Sequence, residues 1–491
     1  MKQLATLAAI VLTIQCCHAQ IGVKYNPAIQ PAGNMQYFGP SGNNLFVGDC
    51  IPFSHNNTYY LYWLLDSAHH SALNGLGGHQ WVVSTSTDLR TWKHFPVVIG
   101  IDEKWEKSIC TGSVVYHDNL FYAFYATRLL VDGKVNEQLS YAISKDGIHF
   151  DKQQPNPFYT SAPGYSKRDF RDPKVFVDDD GAFHLLVSSR LENAAIGGYS
   201  GALVHMVSKD LKKWEVKAPL LSGQRVVPEC PDYFKWNDWY YLIYSQDGDA
   251  SYVKSKKPYG PWEEPETQVL AQGWFNVAKT ASFKGNRVIA AAWVPSRRNN
   301  ADNQGETFGG NVIFRELAQT TNGTLTAKFP SEMIPATEAA ISYSLSIDSV
   351  ATKLSVNSVQ IDAPDGIGTA HIDRIPDNCR ITLEFEPQGP NEDFGLVLKS
   401  GADGKGGYKL VFSAENQLVE LHDTRIYAVK GLDKKVKIDL VISNGIIDVD
   451  INNERGIVNR LIQEKGSSVW FFTRHGKMKI NNISIHPLAA K

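Results

Sequence analysis

A short aromatic strand motif returns five times in the first two thirds of this chain, and no other feature restricts its fold as much. The copies are Asn57-Thr58-Tyr59-Tyr60-Leu61-Tyr62-Trp63, Asn119-Leu120-Phe121-Tyr122-Ala123-Phe124-Tyr125 and Gly181-Ala182-Phe183-His184-Leu185-Leu186-Val187. They continue as Asp238-Trp239-Tyr240-Tyr241-Leu242-Ile243-Tyr244 and Gly285-Asn286-Arg287-Val288-Ile289-Ala290-Ala291-Ala292-Trp293. Their spacing of roughly 50–60 residues is that of propeller blades. A second element follows the early copies: Ser86-Thr87-Asp88, Ser144-Lys145-Asp146 and Ser208-Lys209-Asp210, each with an aromatic four residues after the Asp. Lys257-Pro258-Tyr259-Gly260-Pro261-Trp262 takes that place after the fourth copy. These read as a strand, an Asp- or Pro-containing turn and the start of another strand. The repeat therefore predicts a five-bladed β-propeller whose innermost strands line a central channel.

The segments ahead of the aromatic strands differ chemically. They contain Gly48-Asp49-Cys50, Thr111-Gly112-Ser113, Arg171-Asp172-Pro173, Glu229-Cys230-Pro231 and Ala278-Lys279-Thr280. Equivalent positions at the starts of inner strands converge on the axis, so Asp49, Asp172 and Glu229 are expected to meet there. The repeat stops near Arg315. Phe329 to Ala340, with Pro330 and Pro335, reads as a connector. From Ser342 onward alternating strands such as Arg380-Ile381-Thr382-Leu383-Glu384-Phe385 and turns such as Asn444-Gly445 predict an antiparallel β-sandwich. The chain is thus expected to be all-β, with a signal segment at 1–19, a propeller at 20–330, a linker at 331–341 and a sandwich at 342–491.

The signal segment is read from Lys2, the apolar run Leu4 to Ile14 and a small-residue cleavage site ending at Ala19. The run is too short to span a bilayer. This predicts a secreted, periplasmic or cell-surface protein; a lipid anchor at Cys16 or Cys17 is the alternative to plain cleavage. Lys+Arg of 49 against Asp+Glu of 51 give a formal charge of −2, which leaves no basic footprint for nucleic acid and favours a neutral substrate. Cys50, Cys110, Cys230 and Cys379 are too few for a disulfide framework and are spaced wrongly for zinc, so they read as small buried hydrophobes. Cys50 and Cys230 each follow one of the carboxylates and are expected to share their surroundings.

Carboxylates meeting in a channel suit glycosidic hydrolysis, in which one protonates the leaving oxygen and another attacks the anomeric carbon or activates water. Neighbouring inner strands are compatible with either the retaining or the inverting spacing. Phe170-Arg171-Asp172-Pro173-Lys174-Val175 resembles the RDP motif of family-32 glycoside hydrolases, the invertase, inulinase and levanase group. Glu229-Cys230-Pro231-Asp232-Tyr233-Phe234 is similar to that family's EC motif, Cys110-Thr111-Gly112-Ser113 to its SGS-type segment, and Phe275-Asn276-Val277-Ala278-Lys279-Thr280 to its FYASKT-type segment. The family's NDPNG-type segment is represented by Val47-Gly48-Asp49-Cys50-Ile51-Pro52, where the aspartate stands in a different setting. The resemblance implies Asp49 as nucleophile, Glu229 as general acid/base and Asp172 as transition-state stabiliser. It further implies retention on β-fructofuranosides of the sucrose or fructan type and no metal or other cofactor. Burial is expected to raise the Glu229 pKa relative to Asp49.

Candidate sugar contacts are Arg171 beside Asp172, Thr111 and Lys279 at inner-strand starts, and Trp63 and Trp293 as stacking surfaces. Asp66 and His79 join them from the loops after the first aromatic strand. His69, His70 and His79 form a cluster that suits hydrogen bonding to sugar hydroxyls, a metal site or a solvated loop. Arg128 is a weaker candidate, and Asp178-Asp179-Asp180-Gly181 reads as a tight turn. Two other functions fit the same residues: an arabinofuranosidase or xylosidase working by inversion, and a carbohydrate-binding protein without catalysis.

Overall fold

The computed structural model describes residues 22–28, 30–270 and 272–490; the signal segment and Cys16 and Cys17 lie outside them. Among the described residues, helical structure is confined to single turns at Ala72–Gly75, Arg298–Asn300 and Ser331–Met333. Among the described residues no helix is long and apolar enough to cross a membrane.

Five antiparallel blades succeed one another along the chain. Their innermost strands are Leu45–His55, Ser108–His117, Tyr165–Val177, Glu229–Trp236 and Asn276–Phe283. Each lies against the next, and the last lies against the first, which closes the ring. Blades one and five are also joined by the pairing of Val47 with Gly310. Blade four has three regular strands, its edge completed by a bridge between Lys254 and Glu263.

The repeated aromatic strand is the second of each blade, and it is buried on both faces. That is why it reads as a continuous apolar run rather than an alternation. Its successive residues feed the two seams on either side of their blade. In blade one, Tyr62 and Leu64 pack with Phe121 and Tyr125 of blade two, while Leu61 and Trp63 pack with Ile289 and Phe314 of blade five. Phe124 meets Phe170 and Leu185 at the next seam, Leu186 meets Tyr233 and Leu242, and Tyr241 meets Ala290 and Ile313. Burial of each large side chain contributes about 1.5–3 kcal/mol. The Ser-x-Asp elements close the outer turns. Asp88 accepts from the amides of Arg90 and Thr91 at 2.8 and 2.7 Å, and Asp146 and Asp210 repeat the pattern. The turn expected at Asp178 is present, with the Gly181 amide donating to the Asp178 carbonyl at 2.8 Å.

The C-terminal strands form an antiparallel sandwich around one core that includes Phe385, Phe394, Phe412 and Phe471. Its central element is Ser468–Pro487, which pairs with Asp393–Ser400 through its first half, with Cys379–Pro387 through its second and with Ser358–Ile372 along its length. The sandwich is docked firmly on the propeller. Gln272–Gly273 adds to its sheet in parallel with Ile457 and Val458. Arg315 of blade five is fully buried against Asp448 of the sandwich, whose Oδ2 also accepts from the Tyr37 hydroxyl at 2.7 Å. Removing one partner of such a pair strands the other charge in a dry interface. Asp448→Ala is expected to cost about 3–5 kcal/mol in urea unfolding, more than deleting both charges together as Asp448→Leu with Arg315→Met.

Candidate active site

All five innermost strands carry a β-bulge at the same place. Between Val47 and Cys50, three steps of the inner strand oppose two steps of its neighbour, from Leu65 to Trp63. The same three-against-two register recurs at Ile109/Gly112, Arg171/Lys174, Glu229/Asp232 and Asn276/Lys279. An extra residue bends the strand and re-aims successive side chains, so that neighbours in sequence face the same space. Asp172, Cys230 and Val277 occupy the same bulge position with φ of 55°, 50° and 58°, a left-handed conformation costly for side chains of these types. In blade two, close packing demands a glycine after the bulge: a Cβ on Gly112 would lie 1.9 Å from the Phe124 carbonyl oxygen.

The three carboxylates do meet, but not at one repeated position. Glu229 precedes its bulge, Asp172 is the first bulge residue and Asp49 the second. They surround a cavity of about 350 Å³ at one end of the channel. Asp49 is 8% exposed and has both oxygens held: Oδ1 accepts from the Trp293 indole at 3.1 Å and Oδ2 from the Thr111 hydroxyl. Cys230 Sγ lies 3.8 Å from the same Oδ2. Asp172 is 5% exposed and accepts from the Cys230 amide at 3.1 Å. Burial, opposed by the Arg171 guanidinium and reinforced by Glu229, Glu137 and Asp49, pushes its carboxyl up to about 7. Glu229 stands at the mouth with its side chain 44% exposed, and Oε1 accepts from Arg171 Nη2 at 2.8 Å. The burial expected for Glu229 therefore belongs to Asp172, because Glu229 lies before the bulge and Asp172 within it.

Of the candidate sugar contacts, Arg171, Thr111, His79 and Trp293 line the cavity. Three other expected contacts do not. Trp63 pairs with Cys50 below the bulge, is fully buried in the seam of blades five and one, and donates its indole proton to Ser84 at 3.2 Å. Lys279 follows its bulge, which turns it onto the axis, where its ammonium donates to the carbonyls of Gly112 at 3.0 Å and Pro231 at 3.1 Å. It ties three blades together beneath the site. Asp66 is fully buried behind His79, and its Oδ1 takes the His79 Nε2 at 3.0 Å and the His70 amide at 2.8 Å. It positions the histidine rather than a sugar. Cys50 is likewise core, whereas Cys110 and Cys230 line the cavity.

The histidine cluster is divided. His70 and His79 reach the cavity, while His69 stacks on Phe46 at 3.8 Å with Nδ1 facing the Phe308 carbonyl. Burial pushes the His70 pKa down to about 4, and its Nε2 accepts from Arg128 Nη1 at 2.6 Å. Among the described residues no group of His, Cys, Asp and Glu could hold a metal. Glu137 was not anticipated. It pairs with Arg128 at 2.8 Å and approaches Arg171 at 3.7 Å, linking His70, Arg128, Arg171 and Glu229 along one wall. Its one sequence signal is its cross-strand position opposite Arg128. Phe308, which stacks on His79 at 4.9 Å, and Glu306 come from the third strand of blade five, where no repeat pointed to them.

The glycosyl hydrolases family 32 N-terminal domain model matches residues 50–328. The chain belongs to glycoside hydrolase family 32. The match begins one residue after Asp49, the position whose sequence setting departs most from the family pattern. This family 32 chain is 28% identical over 202 residues to a sucrose-6-phosphate hydrolase of Escherichia coli, 39% of each protein. It is also 28% identical over 234 residues to a levanbiose-producing levanase of Geobacillus stearothermophilus, 46% of this chain and 53% of that one. The chain thus covers only about two fifths to a half of the length of these relatives. The fold likeness is broader. Fructan 1-exohydrolase IIa from Cichorium intybus aligns over 94% of this chain and 98% of its own, with a TM-score of 0.72 at 17% identity.

Proposed function

We propose that this protein is a retaining, exo-acting β-fructofuranosidase for sucrose or fructan-type chains. The observation that carries this reading is the placement of Glu229 just before its bulge, Asp172 first in its bulge and Asp49 second in its own, all around one cavity. Asp49, its oxygens oriented by Trp293 and Thr111, attacks the anomeric carbon and forms a glycosyl ester. Glu229 gives its proton to the departing glycosidic oxygen, and Arg171 on Oε1 leaves the other oxygen to carry that proton. Glu229 then takes a proton from water, whose oxygen displaces Asp49 from the sugar. Asp172, next to both, binds sugar hydroxyls and strengthens that hold as positive charge develops on the ring. A cavity of about 350 Å³ has room for a short chain end, which supports exo action. The relatives named for sucrose-6-phosphate and levan hydrolysis support a fructosyl substrate. The N-terminal Lys2, apolar run and Ala19 support export to the periplasm, cell surface or medium.

Proton NMR of the first-formed anomer tests the reaction. Sucrose, inulin or levan should release fructose with retained configuration, alongside no turnover of arabinan or xylan. Inverted product, or turnover of arabinan or xylan alone, would overturn the proposal.

A further inference from the structure

A second cavity, of about 290 Å³, lies in the seam between propeller and sandwich. Strand Glu306–Gln319 begins at the catalytic cavity and leads to Thr320 on this one. Its 14 residues, at roughly 3.3 Å each, set the second cavity at most about 45 Å from the first, at the other end of the strand.

Hydroxyl and amide side chains, Thr321, Asn322, Thr324 and Thr326 from blade five and Asn452 from the sandwich, line it beside the apolar Leu325, Val429 and Ile451. Of the charged residues that line it, Arg455 is the buried one, only 8% exposed. Its Nη1 donates to the carbonyls of Tyr427 and Ala428, both at 3.2 Å. Its Nε is buried with no acceptor, and among the described residues it forms no ion pair. The Thr324 hydroxyl is likewise buried with no partner among the described residues. Neither nearby carboxylate answers the charge: Glu266 is taken by Lys430, and Glu454 is exposed to water. Burial pulls the Arg455 pKa below the ordinary arginine value. Proteins rarely leave a desolvated guanidinium without a counter-charge, and buried groups left unpaired in a cavity are commonly served by a ligand.

We propose that this seam cavity binds a small oxyanion on a hydroxylated carrier through Arg455, with Thr324 and its neighbours taking the hydroxyls. A guanidinium fork suits a carboxylate, sulfate or phosphate. The oxyanion comes either free in solution or as the acid group of a sugar acid, and the surrounding threonines and asparagines fit the second. Occupancy bridges the two halves of the molecule, so binding stabilises their union.

Calorimetry and thermal unfolding of the full chain at constant ionic strength test this, with sodium chloride as the control and sulfate, phosphate, acetate and glucuronate as probes. Saturable binding and a raised Tm are expected for the oxyanions, with glucuronate at least about threefold tighter than acetate. Equal affinity for sulfate and glucuronate would assign the free anion. Arg455→Met should lose about tenfold or more in affinity. Thr324→Val should lose about threefold while keeping the ligand-free Tm, because it removes an unpaired hydroxyl at equal volume. Circular dichroism confirms that each variant is folded, and Thr324→Val carries the test should Arg455→Met fail to fold. No saturable binding of any oxyanion by the wild type, or unchanged binding by the folded variants, would overturn the proposal.

Discussion

Asp49→Asn is expected to abolish fructose release from sucrose, with kcat reduced on the order of 10⁴-fold or more while the fold is retained. The amide is the same size, and its oxygen still accepts from the Trp293 indole that now donates to Oδ1 at 3.1 Å. The negative charge that attacks the anomeric carbon is gone, so the loss falls on kcat rather than on KM. Initial rates by reducing-sugar assay, with circular dichroism as the folding control, check this. Activity within tenfold of wild type would remove Asp49 from the mechanism and shift attention to the other carboxylates. The experiment carries particular weight because the family match starts immediately after this residue.

Asp172→Asn is expected to do two opposite things: lower kcat/KM on the order of 10²–10³-fold and make the protein more stable above neutral pH. The Asp172 carboxyl is pushed up to about 7 chiefly by burial, against about 3.9 in an unfolded chain. Between those values the folded protein holds a proton that the unfolded chain has released. Wild-type stability therefore falls as pH rises from about 4 to about 7, and the full penalty remains above that. Asparagine never ionises, so the variant escapes the penalty. Its advantage should be near zero at about pH 4 and larger by about 2–4 kcal/mol at about pH 8. Urea titrations at the two pH values read the difference directly. An advantage independent of pH would show that Asp172 is fully ionised in the fold. Retention of a costly buried carboxylate at a left-handed backbone position is the kind of local strain that function maintains.

The contrast between Asp172 and Lys279 shows why one candidate lines the cavity and another does not. Lys279 and Asp172 both lie on inner strands at the same kind of bulge. Two steps further along its strand than the position of Asp172, Lys279 turns from the cavity to the axis, where its ammonium bonds backbone carbonyls of two other blades. Trp63 differs from Trp293 in the same way. Trp293 pairs with Asn276 above its bulge and reaches Asp49, whereas Trp63 pairs with Cys50 below its own and is sealed into a blade seam.

The sequence by itself determined the five blades, because a strand buried on both faces must be apolar throughout, and that run is visible wherever it recurs. It determined the Ser-x-Asp turns, whose hydrogen bonds are local, and it named the three carboxylates through their repeat positions and motifs. The tertiary structure alone decided which neighbours of those carboxylates face the cavity. A bulge changes side-chain direction without changing residue type, so it leaves no periodic trace. Glu137, Phe308 and Arg455 were hidden for a related reason: each acquires its meaning from groups on other strands, and burial, not sequence, makes a charge costly enough to need a partner.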